Sequence, residues 1–495
     1  NESIVMLEVN TEYNWLKAME LGAKAIVFIE PESTTEGECT AKYLHYAPLY
    51  APRVYLRRDL ATDLLALLRQ YDWSLNVQLE TRMEWQVKEV ANVIGFSPGT
   101  TLKDQWVILF AHYDAWSVVP SLAQGATSAF GIATLLELAR FYSQVEHARS
   151  IMFIAFSGHE QGIAGARHFV DSFVIEHAFP EVVPSNPTRG QGVFLYIGID
   201  ITPEGNGIGV FATSYFYQTG VPGQGFLNNY VRPYYYQQGG FVDRMYEAWN
   251  KVYGRTWPIA SQHILSSYWD HFSPIVFQTD SDAFLMDESK KFTYRTIFAR
   301  YENRYTPLDT YSRLADINNI KSQLEFIYCN TYELTNIDVN PDSISTWRNI
   351  GSEFWSQPSF YKFTGQAVEY NEETANYTGI PNAIVQVVTA STATTGAGTG
   401  GGQGVFKGGI WFELSNEKGV FKIPALRYGY TYVFYPYLLN GTSSEIISAP
   451  DFGKFGAARF PHMINLYGAA SVFYGTDEKP YMFVAFKCGT IHIYN

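Results

Sequence analysis

Three short runs constrain this chain more than any other feature: residues 106–111, 151–156 and 193–199 are apolar almost without interruption, and each ends in polar or Gly-containing residues. A strand that is apolar on both faces must be covered on both. A parallel or mixed sheet lying under helices provides that cover. Residues 131–141 supply one such helix, with Ile132, Leu135, Leu136, Leu138 and Ala139 on its apolar stripe and Glu137 and Arg140 outside it. Residues 162–173 read as another.

The flanking regions have different patterns. Upstream, residues 4–9 and 25–29 read as strands and 11–21 as a helix with Thr11 at its N-cap, while 60–68 reads as a helix and 74–79 as a strand. This is a small α/β unit over residues 1–86, followed by the sheet-and-helix region over 87–350, which closes with a helical stretch at 317–334. From about residue 363 the helical period is lost. Short runs at 383–388, 409–414, 420–423 and 431–435, and in the tail at 470–474, 481–486 and 490–494, are separated by Gly, Asn and Pro. That is the pattern of a β-sandwich over 351–495, with the Gly-rich stretch 395–404 as a loop. The expected fold class is therefore α/β, a mixed sheet flanked by helices, preceded by a small α/β unit and followed by a β-sandwich.

Composition narrows the partners. The 35 Lys and Arg against 48 Asp and Glu give a formal charge of −13, which argues against nucleic acid. The 36 Tyr and 34 Phe suit Tyr-rich surfaces that bind protein or self-assemble. No apolar run reaches the ~18 residues of a membrane-spanning helix, so membrane attachment is expected only through a segment outside this sequence. Cys39, Cys329 and Cys488 are too few and too scattered for a Cys-rich zinc site and permit one disulfide at most. Glycosylation sequons at Asn1, Asn376 and Asn440 favour an exported protein, extracellular or on the cell surface. The start at Asn1, without a signal-like segment, reads as a mature or partial chain.

Ligands of such sheets gather beyond the carboxyl ends of the strands. There the chain has His112-Tyr113-Asp114, then Ser157-Gly158-His159-Glu160, then Asp200. Imidazole and carboxylate converging from three loops suit a zinc ion, although the same residue types also cap helices.

Four motifs in order, VANVIGF, WVILFAHYDAW, GIATLLELARF and SIMFIAFSGHEQGIAGARHFV, resemble metallopeptidase family twenty-eight, the co-catalytic zinc aminopeptidases, whose non-peptidase relatives include the transferrin receptor and nicastrin. IVMLEV and LKAMELGAKAIVFIE resemble the second half of a protease-associated domain, which implies that the other half lies on another segment or chain. GQAVEYNEE, GIPNAIVQVV and LSNEKGVFKIPALRYGYTYVFYPY resemble a carboxypeptidase-regulatory or transthyretin-like sandwich.

The first resemblance implies roles residue by residue. His112 and Asp200 match ligands of the first zinc, Asp114 the carboxylate that orients the histidine, and Glu160 the carboxylate ligand of the second zinc. Three positions depart. Thr127 stands where the bridging Asp belongs, His159 where the general-base Glu belongs, and Tyr305 where the late histidine ligand belongs. TDSDAF, with Ser281 at a histidine position, replaces a further motif; Asp280, Asp282, His263 and His271 are the nearby residues that a different loop arrangement would bring in. A His at position 159 still accepts protons near neutrality. A Thr hydroxyl and a neutral phenol, however, are not usual zinc ligands. His112 and Asp200 with either Glu160 or His159 suit one zinc ion at most, and a two-zinc site is not expected. The reading is a catalytically degenerate peptidase fold serving as scaffold, receptor or assembly subunit; the alternative is an exported metallo-aminopeptidase, active or holding a single metal.

Overall fold

The three apolar runs lie side by side. In the computed structural model they are β5 (Leu102–His112), β6 (Arg149–Phe156) and β7 (Gly192–Asp200), labelled in chain order below. The structure describes residues 3–42, 52–81, 88–175, 178–180, 182, 192–205, 207–211, 251, 254, 279–287, 291–297, 299, 301–337, 360–371, 373–389, 410–427, 431–437, 439–440, 445–446, 462–465 and 481–486. Asn1, His263, His271, Cys488, the runs at 395–404, 470–474 and 490–494, and both expected boundaries, at 86 and 350, fall outside them.

The first unit has β1 (Ile4–Glu8), α1 (Asn14–Glu20), β2 (Ala25–Ile29), α2 (Glu36–Thr40), β3 (Arg53–Leu56) and α3 (Arg58–Gln70), with its three strands parallel in the order β1-β2-β3. Two expectations fail here. Thr11 is not an N-cap: α1 starts at Asn14 behind an uncapped Tyr13, and the Thr11 hydroxyl donates 2.9 Å back to the Glu8 carbonyl, closing the end of β1 instead. Residues 74–79 are irregular rather than a strand. Asp72 and Trp73, both left-handed at φ +50° and +61°, turn the chain out of α3, and Val77 beyond them is 58% exposed, so its alternating pattern meets no described strand to pair with.

The central sheet joins β4 (Val93–Ser97), β5, β6, β7, β8 (Gly207–Phe211) and β9 (Lys291–Ile297) in the order β4-β6-β5-β7-β9-β8. The four inner strands are parallel and the two edge strands antiparallel. Strand period two then sorts the side chains. Val107, Leu109 and Ala111 pack with Leu135 and Leu138 of α4 (Ala129–Tyr142) and with Phe326 and Ile327 of α6 (Asn319–Asn336). On the opposite face Phe110, Phe156 and Tyr196 meet Phe284, with ring centroids 4.9, 6.2 and 4.3 Å from it. Phe169 of α5 (Ala164–Val170) joins that cluster. Gly131 lets α4 approach β7: a Cβ there would lie 2.5 Å from the Ile199 carbonyl oxygen.

Arg149 ties the far end of the sheet to α6. It is fully buried; its Nε donates to Gln105 Oε1 at 2.8 Å, and its Nη1 donates to the carbonyls of Leu334 and Ile337 at 3.1 and 2.6 Å. A guanidinium at the carbonyl end of a helix satisfies orphan acceptors and faces the negative end of the helix dipole.

Two four-stranded sheets follow. In one, β10 (Phe360–Asn371) pairs with β11 (Asn376–Gly379), β14 (Val420–Arg427) and β19 (Tyr481–Phe486). The other has the order β13-β12-β15-β18, from β12 (Ile384–Thr389), β13 (Ile410–Leu414), β15 (Thr431–Tyr437) and β18 (His462–Asn465). A short pair, β16 (Leu439–Asn440) and β17 (Glu445–Ile446), completes the described strands. Asn376 is exposed in β11, and Asn440 ends β16. No helix among the described residues is long and apolar enough to cross a membrane.

Candidate functional site

His112, the last residue of β5, leads into the site on the same strand face as Phe110. After β6 the chain turns at Gly158, φ +66°, and places the His159 ring against that of His112, centroids 4.0 Å apart and 19° from parallel. The 3-10 helix Asp280–Asp287 brings in the third group: Asp280 Oδ2 lies 2.9 Å from His159 Nδ1 and 3.6 Å from His112 Nδ1. All three side chains are buried. Burial alone would push the His159 imidazole down, but the Asp280, Glu160 and Asp114 carboxylates hold it at about 9. Asp280, despite its burial, is held well below the usual carboxylate range by the two histidines. Asp114 accepts the backbone N–H of His159 through both oxygens, at 3.0 and 3.3 Å, and so fixes the turn that carries that ring.

The other positions singled out in the sequence are engaged elsewhere. Glu160 Oε1 accepts the Tyr305 phenol at 2.7 Å. Tyr305 sits in a turn where Tyr301, Asn303 and Tyr305 alternate into the left-handed region at φ +47°, +62° and +67°. Its ring packs edge-on against Trp116, 5.3 Å between centroids, and joins the core of the first unit with Val9, Trp15 and Phe28. Thr127 donates to Asp309 twice, from its N–H at 2.9 Å and from its hydroxyl at 2.8 Å. Ser281 pairs with the Thr279 hydroxyl at 2.8 Å, and Asp282 accepts from Lys291 at 3.5 Å.

Asp200 has an ion-pair environment. It is the cross-strand register partner of Arg295, whose Nη1 donates to it at 2.5 Å, and Arg304 Nη2 stands 3.9 Å away. Both guanidiniums also face Glu36 of α2, at 3.6 Å from Arg295 and 3.4 Å from Arg304. Burial works against the Asp200 charge, but Arg295 and Arg304 overcome it and hold the carboxyl at about 2. A carboxyl lower in the folded than in the unfolded state stabilises the fold above the unfolded value of about 3.9. That contribution, on the order of 2 kcal/mol, is complete at neutral pH and lost as pH falls from about 4 toward 2. Denaturant titrations across that window are expected to show a shallower acid loss for Asp200→Asn than for the wild type; equal slopes would refute the assignment.

A co-catalytic zinc pair does not fit this site. Thr127 offers a hydroxyl already spent on Asp309, and Tyr305 offers a phenol that burial and Glu160 push well above its usual range. Asp200 is committed to two arginines. One ion does fit: donor atoms of His112, His159 and Asp280 lie within 4.8 Å of one another, and the buried Asp280 Oδ1 has no hydrogen-bond partner among the described residues.

Sequence reasoning had named His112 and His159 as donors and Asp280 only as a neighbour of the late motif. It missed Glu36, Arg295 and Arg304 altogether, because a cross-strand register and a contact between units leave no mark in local sequence. Asp309 carried a signal, since it belongs to the same Thr-Pro-x-Asp-Thr stretch that follows Tyr305.

The mixed sheet, with its parallel inner strands, thus carries histidines and carboxylates at the strand ends, where ligands of such sheets gather. Residues 92–256 of the 495 match the family model described as peptidase family M28. The chain is 36% identical over 107 residues to a glutamate carboxypeptidase 2 homolog of Caenorhabditis elegans, 20% of this chain and 13% of that protein. It is 31% identical over 107 residues to aminopeptidase YwaD of Bacillus subtilis (strain 168), 21% and 22% of the two chains. It is 27% identical over 141 residues to the BOS complex subunit NCLN of Canis lupus familiaris, 26% and 24% of the two chains. These matches thus span under a quarter of each curated relative. A solved zinc aminopeptidase from Bacillus subtilis is similar at 16% identity and a TM-score of 0.37, covering 68% of this chain and 70% of that one.

Proposed function

We propose that this chain is a peptidase-fold protein that does not hydrolyse peptides and acts as a scaffold, receptor or assembly subunit for protein partners outside the cell or on its surface. One observation carries the reading: the bridging position and one ligand position of each metal are consumed by internal bonds, Thr127 with Asp309, Glu160 of the second metal with Tyr305, and Asp200 of the first with Arg295. A bridging water needs two metals and a base beside it to become a nucleophile at neutral pH. Similarity to a protein described as a subunit of the BOS complex agrees with partnership, and the sequons, with Asn376 exposed, agree with export.

The alternative, an exported aminopeptidase working with one metal, is favoured by a single observation, the compatible donor set of His112, His159 and Asp280. Assays with N-terminally free peptides, in zinc and in chelator, separate the two. No turnover above buffer is expected in either condition. Chelator-sensitive turnover, with one zinc ion or two per chain, would overturn the proposal.

A further inference from the structure

We infer that the sheet β13-β12-β15-β18 controls the shape of the cleft: Glu413 of β13 steadies Arg167 of α5, Arg167 holds the loop 158–163, and that loop stores backbone strain that is released when the contact opens. This coupling goes beyond the proposed function and holds whether or not the cleft hydrolyses peptides. Its ends are a C-terminal sheet and the loop that carries His159 and Glu160.

The strain sits at Ile163. Its φ of +50° and ψ of +39° lie in the left-handed region, an outlier for a β-branched residue. Gly158 and Gly162, at φ +66° and +71°, enter the same region without a Cβ to clash, whereas the Ile163 side chain is present and fully buried. Such a backbone persists only where its surroundings hold it. At the base of the loop the N–H groups of Ile163, Ala164 and Gly165 donate to the carbonyls of His159, Gly158 and Ser157 at 2.9, 2.9 and 3.0 Å. Asn92 spans the same base, accepting the Ser157 N–H at 3.2 Å and donating to the Gly165 carbonyl at 2.9 Å. Asp114 holds the His159 N–H at 3.0 Å, and Arg167 Nε donates to the Gly162 carbonyl at 2.9 Å.

The last of these bonds leads out of the central region. Arg167 is buried, and its Nη1 stands 3.7 Å from Glu413 Oε1. Glu413 is paired in register with Val385 of β12, so it moves with its sheet. The guanidinium thus lies between a loop carbonyl and a carboxylate of another sheet, and its planar fork orients toward both. Without the carboxylate it is free to swing off Gly162. The loop then lets Ile163 return to the right-handed region, and His159 and Glu160 leave Asp280 and Tyr305, which they meet at 2.9 and 2.7 Å. A protein partner that draws β13 off α5 therefore opens the cleft, and a ligand that fixes the loop tightens the hold on β13, because coupling is reciprocal.

Hydrogen exchange read by mass spectrometry on the full chain tests this. Glu413→Gln keeps the shape and removes the charge; Arg167→Lys keeps the charge and removes the fork, and serves if the other variant fails to fold. In both, peptides carrying the Ile163, Ala164 and Gly165 amides are expected to exchange about tenfold faster or more, with α4 and α6 as in the wild type. Ile163→Gly, which adopts the same turn without strain, is expected to suppress most of the response to Glu413→Gln. Loop exchange at the wild-type rate in Glu413→Gln and Arg167→Lys overturns the inference. Loosening spread evenly over α5 and the strands of the β13 sheet also overturns it, since that marks a plain loss of docking. An undiminished response in the Ile163→Gly background removes strain as the cause and overturns it as well.

Discussion

Arg304→Ala is expected to lower stability by about 3–5 kcal/mol, the cost of removing one partner from a buried charge network. That corresponds to a fall of roughly 6–20 °C in Tm. Arg304 is 2% exposed and serves two carboxylates, Glu36 at 3.4 Å and Asp200 at 3.9 Å. Its guanidinium also lies 5.1 and 5.0 Å from the ring centroids of Tyr301 and Tyr305. Without it the two buried carboxylates must share Arg295, and one negative charge is left without compensation. Lysine at this position is not expected to rescue, because a point charge on a flexible stem cannot face two carboxylates and two rings as a planar fork does. Thermal melts of the wild type, Arg304→Ala and Arg304→Lys decide the matter. A drop of under two degrees in Arg304→Ala would refute the network as described.

Arg149→Ala is expected to cost a similar 3–5 kcal/mol by a different route. The side chain caps the carbonyl end of α6 through Leu334 and Ile337 and stacks 3.9 Å from the Phe194 ring centroid. Its loss leaves the buried Leu334 carbonyl and the part-buried Ile337 carbonyl without this donor and empties the volume of a long side chain. Hydrogen exchange should show the difference from Arg304→Ala. Fraying is expected in the last turn of α6 for Arg149→Ala, and around α2 and the turn at 301–306 for Arg304→Ala. Identical exchange patterns in the two variants would contradict this assignment.

The frame of the fold was legible because burial on both faces writes itself into sequence. Residues 106–111, 151–156 and 193–199 are central strands, and 131–141 lies within α4. Residues 74–79 misled because an alternating pattern records a strand's preference and not whether a neighbour exists to receive its hydrogen bonds. Thr11 misled because a hydroxyl can close the end of a strand as readily as open a helix. In the site, the departures at Thr127, His159 and Tyr305 were visible as residue identities. Their new partners were not, since Asp309, Asp280 and Glu160 reach them across 182, 121 and 145 residues.

The placement of Tyr305 has a further consequence for how the chain comes apart. Its ring completes the core built on Val9, Trp15 and Phe28, with Trp116 and Val118 packed alongside, although all three of Trp116, Val118 and Tyr305 belong to the neighbouring region. One shared core therefore crosses the division expected near residue 86. A protease cutting there would leave two pieces still interlocked, and a fragment expressed from residue 88 onward would carry an open apolar wound in place of a surface.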